Sequence, residues 1–110
     1  MQTRQIPERD WKYFRKLQNL ALERFCQRVL DEVASLSDDA SRSAHDRYLA
    51  VYKTMRRRDK ELEDAFDRTR RSTAWFQLAL IVNHRLLTEE ELAGFSPETH
   101  EVLRLLLKGE

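Results

Sequence analysis

The chain has 110 residues, of which 35% are charged and 41% hydrophobic, and its 20 Lys and Arg nearly balance 19 Asp and Glu to leave a net charge of +1. That length suits one domain burying roughly two-thirds of its unfolded surface. The composition excludes intrinsic disorder, and the neutral balance removes the global basic signature of a nucleic-acid or membrane-surface binder.

Cys26 is the only cysteine, so an internal disulfide and a secreted, disulfide-stapled fold are excluded. Met1 to Ile6 lacks the apolar core of a signal peptide. The longest apolar stretch, Ala74 to Leu87, is interrupted by Gln77, Asn83, His84 and Arg85, short of the ~20 apolar residues of a membrane span. The expectation is one soluble, cytoplasmic helical domain over residues 1–110, without membrane insertion.

Neither glycine nor proline occurs from residue 8 to residue 93, so the strongest interruptions of a helix are missing and the fold class is all-α. Pro7 suits a first helical position, and Glu8 and Asp10 complement the dipole behind it. Trp11, Phe14, Leu17, Ala21, Leu22, Phe25, Val29, Val33 and Leu36 recur at steps of three and four. They predict a first helix over about 8–36. Ser37 to Ser41 is a turn of capping residues.

A second helix over about 41–69 carries Tyr48, Val51, Tyr52, Met55, Leu62, Ala65 and Phe66 on one face. Residues 56–61 contribute nothing apolar, and charge pairs four apart support that stretch: Arg57 with Glu61, Lys60 with Asp64, Asp64 with Arg68, Asp67 with Arg71. Each such pair is worth only about 0.2–0.5 kcal/mol. Both helices approach 29 residues, or roughly 44 Å, and a short polar loop between equals favours an antiparallel hairpin.

Thr69, Ser72 and Thr73 predict a break. A third helix over about 74–87 is apolar nearly all round and has to be buried on all sides. Thr88 to Glu91 forms a capping box, Gly94 closes a short helix, and Ser96-Pro97-Glu98 starts a last one carrying Val102, Leu103, Leu105, Leu106 and Leu107. Residues 88–108 therefore form a C-terminal helical hairpin.

The chemistry is sparse. Lys53, Arg56, Arg57, Arg58, Arg68, Arg70 and Arg71 form the one basic cluster. As function it is a face for phosphate; interleaved with Asp59, Glu61, Glu63, Asp64 and Asp67, it reads better as a solvated face. Residues 88–108 have a helix-turn-helix outline, but glutamates head both helices and repel phosphate. His45, His84 and His100 show no ligand spacing, so no metal is expected. Cys26 has no base in view, Asp38 and Asp39 read as turn and cap residues, and glycine-rich phosphate loops are absent. No catalytic residue, cofactor or metal is assigned.

The sequence thus predicts a non-enzymatic helical module for protein–protein interaction or scaffolding, acting as a homodimer and with another protein as an eventual partner. Trp75, Phe76, Leu78, Ile81 and Val82 on the third helix are the candidate self-association residues, because its apolar surface exceeds what a hairpin covers. The alternatives are a nucleic-acid binder using the basic face of residues 53–71, and a carrier of a small apolar ligand in the bundle core.

Overall fold

A computed structural model describes residues 4–108. It consists of α1 (Glu8–Ser37), α2 (Ala44–Phe66), a 3₁₀ turn (Arg71–Thr73), α3 (Ala74–Asn83), α4 (Glu89–Ala93) and α5 (Pro97–Leu107), with no strand among the described residues. The all-α class and the two long helices stand as the periodicity predicts. The first helix starts at Glu8 as expected and runs one residue past the predicted end, to Ser37, with Pro7 at its cap and not at the first helical position. Pro7 caps it in an extended conformation, and its carbonyl accepts from the Trp11 amide at 2.9 Å.

α2 is shorter than the predicted 41–69 by three residues at each end. Ser43 is its N-cap, accepting from the Asp46 amide at 3.1 Å, which leaves residues 41 and 42 in the turn. At the other end Arg68 takes a left-handed φ of 54°, and the Thr69 hydroxyl turns back to the Phe66 carbonyl at 3.1 Å. The charge pairs drawn across that end are therefore not helical pairs. Lys60–Asp64 forms, at 2.9 Å, whereas Arg71 lies beyond the break and binds Glu8 instead.

α3 ends at Asn83, not Leu87. Arg85 adopts φ 58°, its amide donates to the Val82 carbonyl, and the Leu86 amide donates to the Ile81 carbonyl. This pairing is a Schellman termination, with arginine in the left-handed position usually given to glycine. The predicted signals downstream are present: Thr88 and Glu91 cap each other's backbone amides, and Ser96 caps the Thr99 amide with Pro97 at the first position of α5. Gly94 does close α4, but at φ −71°. Its lack of a side chain matters for space instead, because a Cβ there would fall 2.6 Å from Tyr13 Cζ.

Packing divides the molecule, 58 × 29 × 24 Å in extent, into a base and a tip. Phe14, Leu17, Ala21, Phe25 and Val29 line the buried stripe of α1 and meet Ala65, Leu78, Ile81, Leu86, Phe95 and Leu103. α3 is the central strut of that base, though not buried all round: Phe76 is 60% exposed. Beyond Val29 on α1, and before Ala65 on α2, the only fully buried side chain is that of Thr54. Half the length of the α1–α2 hairpin therefore projects from the core as a pair of helices, half-covered by each other.

The connection after α3 and the end of α4 are held to α1 by side chains that reach backbone carbonyls. Arg28 donates to His84 O at 2.6 Å and Arg85 O at 2.5 Å, Arg24 to Leu86 O at 2.8 Å, and Arg9 to Gly94 O at 2.7 Å. Tyr13 donates to Glu91 O at 2.6 Å. These donors satisfy carbonyls of the connection that follows α3 and of the last turn and cap of α4.

Candidate functional site

Three places bring polar or exposed apolar groups together. The first is a buried junction in the base. Asp10, fully shielded, accepts from the Ser96 hydroxyl and amide, the latter at 3.1 Å, and from the Thr99 hydroxyl at 2.6 Å. The Trp75 indole donates to the same Thr99 oxygen at 3.0 Å. Burial pushes the Asp10 carboxyl up, but the bonds from the Ser96 and Thr99 side chains and the Ser96 amide outweigh it and hold the group below the usual carboxylate range. Every bond donated to Asp10 is accounted for within the fold, so the junction is a structural anchor between α1, α3 and α5.

The second place is a cleft of about 150 Å³ behind the hairpin, where Arg28, Glu32, Arg58 and His84 line the space over Phe25 and Val29. Arg58 Nε lies 3.0 Å from Glu32, and its Nη1 donates to Glu61. The hydrogen bond from Arg58 lowers the Glu32 carboxyl against the opposing effect of burial, and the two glutamates raise the guanidinium further above its already high value. Similarly, Arg24 grips Glu91 in a bidentate pair at 2.7 and 3.0 Å. That bond, joined by the Thr88 amide, brings Glu91 down to about 2. Cations and carboxylates in these clusters neutralise each other and leave no unshared base or acid beside a nucleophile.

The third place is the outer side of the hairpin tip, away from α3. Cys26 and Leu30 of α1 face Met55, Asp59 and Leu62 of α2 across a groove of about 180 Å³ with Phe25, Val29 and Arg58 at its floor. Ser37, Ala44, Tyr48 and Val51 continue it toward the loop. Leu30 is 60% exposed, Tyr48 67%, Tyr52 51% and Met55 44%. On α2, positions 48, 52 and 55 are spaced by four and three, which places them on one stripe.

The predicted residues divide among these environments. Leu78 and Ile81 lie in the core, Val82 is half-buried, and Trp75 is half-buried with its indole bound to Thr99 and Arg4 stacked 5.4 Å above it. Only Phe76 of that set is well exposed. The basic set splits at the break after α2. Lys53, Arg56 and Arg57 are exposed on the tip, with Arg56 stacked 5.8 Å from the Tyr52 ring. Arg58 is taken up by its two glutamates, and Arg71 by Glu8 and the Ile6 carbonyl at 2.9 Å. Arg68 and Arg70 are exposed in the connection beyond α2.

No group of three or more His, Cys, Asp or Glu side chains converges as for a metal among the described residues, and no helix there is long and apolar enough to cross a membrane. Leu30 was missing from the sequence-level face of α1. Its only signal is the run Leu22, Cys26, Leu30 at steps of four, a second stripe beside the core stripe. Compared with known protein families, curated proteins and solved structures, the chain matches none.

Proposed function

We propose that this chain is a non-enzymatic protein-interaction module whose working surface is the outer side of the α1–α2 tip. The observation that carries this reading is the row Leu30, Tyr48, Tyr52 and Met55, four large apolar side chains exposed on one face where the fold supplies no cover. A contiguous apolar patch of this kind, rimmed by charge, marks an association surface. Tyr and Arg, present here as Tyr48, Tyr52 and Arg56, are the residue types that dominate interface energetics. A non-enzymatic role is supported by the pairing of arginine with carboxylate in both polar clusters, Arg58 with Glu32 and Glu61 and Arg24 with Glu91.

A photo-reactive benzophenone side chain placed at Tyr52 tests the reading. Illumination in concentrated protein and in extract of the native host is expected to yield discrete protein adducts from position 52. The same probe at Lys12, exposed at the base, is expected to give none. Equal yields at both positions, or none at either, would overturn it.

A further inference from the structure

We infer that the base of the molecule carries a second binding site, on the first turns of α1 beside the α2–α3 connection, and that it takes the phosphate backbone of a single-stranded nucleic acid. The site is separate from the tip surface and does not rest on it. Although the chain as a whole is close to neutral, its charges are sorted along the sequence. Residues 11–22 carry Lys12, Arg15 and Lys16 and no acid, and residues 68–88 carry Arg68, Arg70, Arg71 and Arg85 and no acid.

Folding joins the two stretches. Glu8, Trp11, Arg15 and Gln18 follow one another at steps of three and four and so share one face of α1. At the ends of that row, Arg71 donates to Glu8 at 2.9 Å and the Gln18 amide donates to the Thr69 hydroxyl at 2.8 Å. These two ties lay the connection along the row, so the exposed Arg70, between Thr69 and Arg71, stands at the level of Trp11 and Arg15. On the open flank, Trp11, Lys12, Arg15, Lys16 and Asn19 line a shallow depression of about 520 Å³. Of the basic set over residues 53–71, only Arg70 takes part; the other cations come from α1.

These cations are not neutralised within the fold, unlike Arg24 and Arg58. Arg15, Lys16 and Arg70 form no ion pair among the described residues, and Lys12 has only Glu8 at 3.8 Å, which Arg71 already holds more closely. Cations without counter-charge around one depression are what counterion release from a phosphate chain requires. The floor narrows the ligand further. The Arg15 guanidinium lies over the Trp11 ring, 5.4 Å from its centroid, and presents its outer plane for an unstacked base, while the Asn19 amide offers a donor and an acceptor to a base edge. A duplex hides its base faces, so this platform suits a single strand. An anionic membrane is the poorer fit: from residue 8 to residue 22 the only large apolar side chain that is well exposed is Leu20, too little for a helix that inserts into a lipid interface.

Fluorescence anisotropy of short labelled oligothymidylate and oligouridylate, titrated with the full chain at several salt concentrations, tests the proposal. Lys12, Arg15, Lys16 and Arg70 each neutralising one phosphate predict a slope of log affinity on log salt of about −2.8, or about a fifty-fold loss between roughly 50 and 200 mM salt. Arg70→Gln alone is expected to make the slope shallower by about 0.7, one phosphate's share. Lys12, Arg15, Lys16 and Arg70 all changed to Gln are expected to abolish saturable binding with helical circular dichroism unchanged, since all four side chains are exposed. Lys53→Gln with Arg57→Gln, on the tip, is expected to leave affinity and slope as they were. No saturable binding at about 50 mM salt overturns the proposal, as does binding that survives the fourfold variant. Equal competition by polyglutamate, or tighter binding to phosphatidylserine vesicles than to either oligonucleotide, overturns the nucleic acid as the occupant.

Discussion

Replacing Asp10 with alanine removes the acceptor for three donors that the base has no other means to satisfy: the Ser96 amide and the Ser96 and Thr99 hydroxyls. Hydrogen bonds to a charged acceptor contribute about 1.5–3 kcal/mol each and do not add fully. About 3 kcal/mol is therefore expected, a large share of the ~5–15 kcal/mol that stabilises a domain. With an unfolding entropy of about 2.1 cal/mol/K per residue over 110 residues, or ~0.23 kcal/mol/K, the melting temperature falls by about 13 °C. Asp10→Asn keeps the shape and one acceptor oxygen, and about half that loss is expected. The assay is thermal unfolding followed by circular dichroism and tryptophan fluorescence. The pH dependence fixes the mechanism. The folded carboxyl lies below its ordinary 3.8, so its stabilisation is fully present above that value and is lost as pH falls through the folded value. The gap between the native chain and Asp10→Asn is then constant from pH 7 to about 4 and narrows below it. A melting temperature within about 3 °C of the native chain for Asp10→Ala, or a gap that closes already between pH 7 and 5, would refute the reasoning. The latter would mean that burial, not hydrogen bonding, dominates the carboxyl.

Two further perturbations test the grip of α1 on the C-terminal hairpin. Glu91→Gln breaks the pair with Arg24, whose folded partner sits at about 2 against an ordinary 4.5; discounted for the partial exposure of Arg24, about 1–2 kcal/mol is expected at neutral pH. Denaturant titrations of the two proteins should converge as pH falls from about 4.5 to 2, and a constant difference across that window would count against the pair. Gly94→Ala drives a methyl group into the Tyr13 ring, which is packed edge-on against Phe95 at 4.8 Å, for about 1–3 kcal/mol. Added to Tyr13→Ala it should cost little more, and strict additivity would show that the two residues do not meet.

Legibility in the sequence tracked the range over which each feature is encoded. The caps at Thr88 and Ser96 are settled within four residues, and they stand where the residues place them. The end of α3 is not settled locally. Nothing about Arg85 announces a left-handed residue, and its conformation is held by Leu86 in the core and by Arg28, 57 positions earlier, on its carbonyl. Asp10 looks like any acid at a helix N-terminus, yet its partners lie 86 and 89 positions away. The candidate association face suffered from the same limit. An apolar helix reads as sticky from composition alone, but Leu78 and Ile81 are consumed by the base, whereas the stripe of Tyr48, Tyr52 and Met55, visible as a period, becomes an exposed face only once the side of α2 that meets α1 is known.

The distribution of arginine separates the two halves of the molecule physically. On the base, Arg9, Arg24 and Arg28 donate to carbonyls of residues 84–94, in the connection after α3 and at the cap of α4. On the tip, Arg56 and Arg57 form no ion pair among the described residues and border exposed apolar side chains, Arg56 over the Tyr52 ring. A helix pair contributes little stability of its own, since helices depend on packing an apolar face more than on propensity. The tip therefore carries the ordering entropy of two long helices with a single fully buried side chain, Thr54, to offset it. Covering its outer side would add apolar burial at the place where the fold has least.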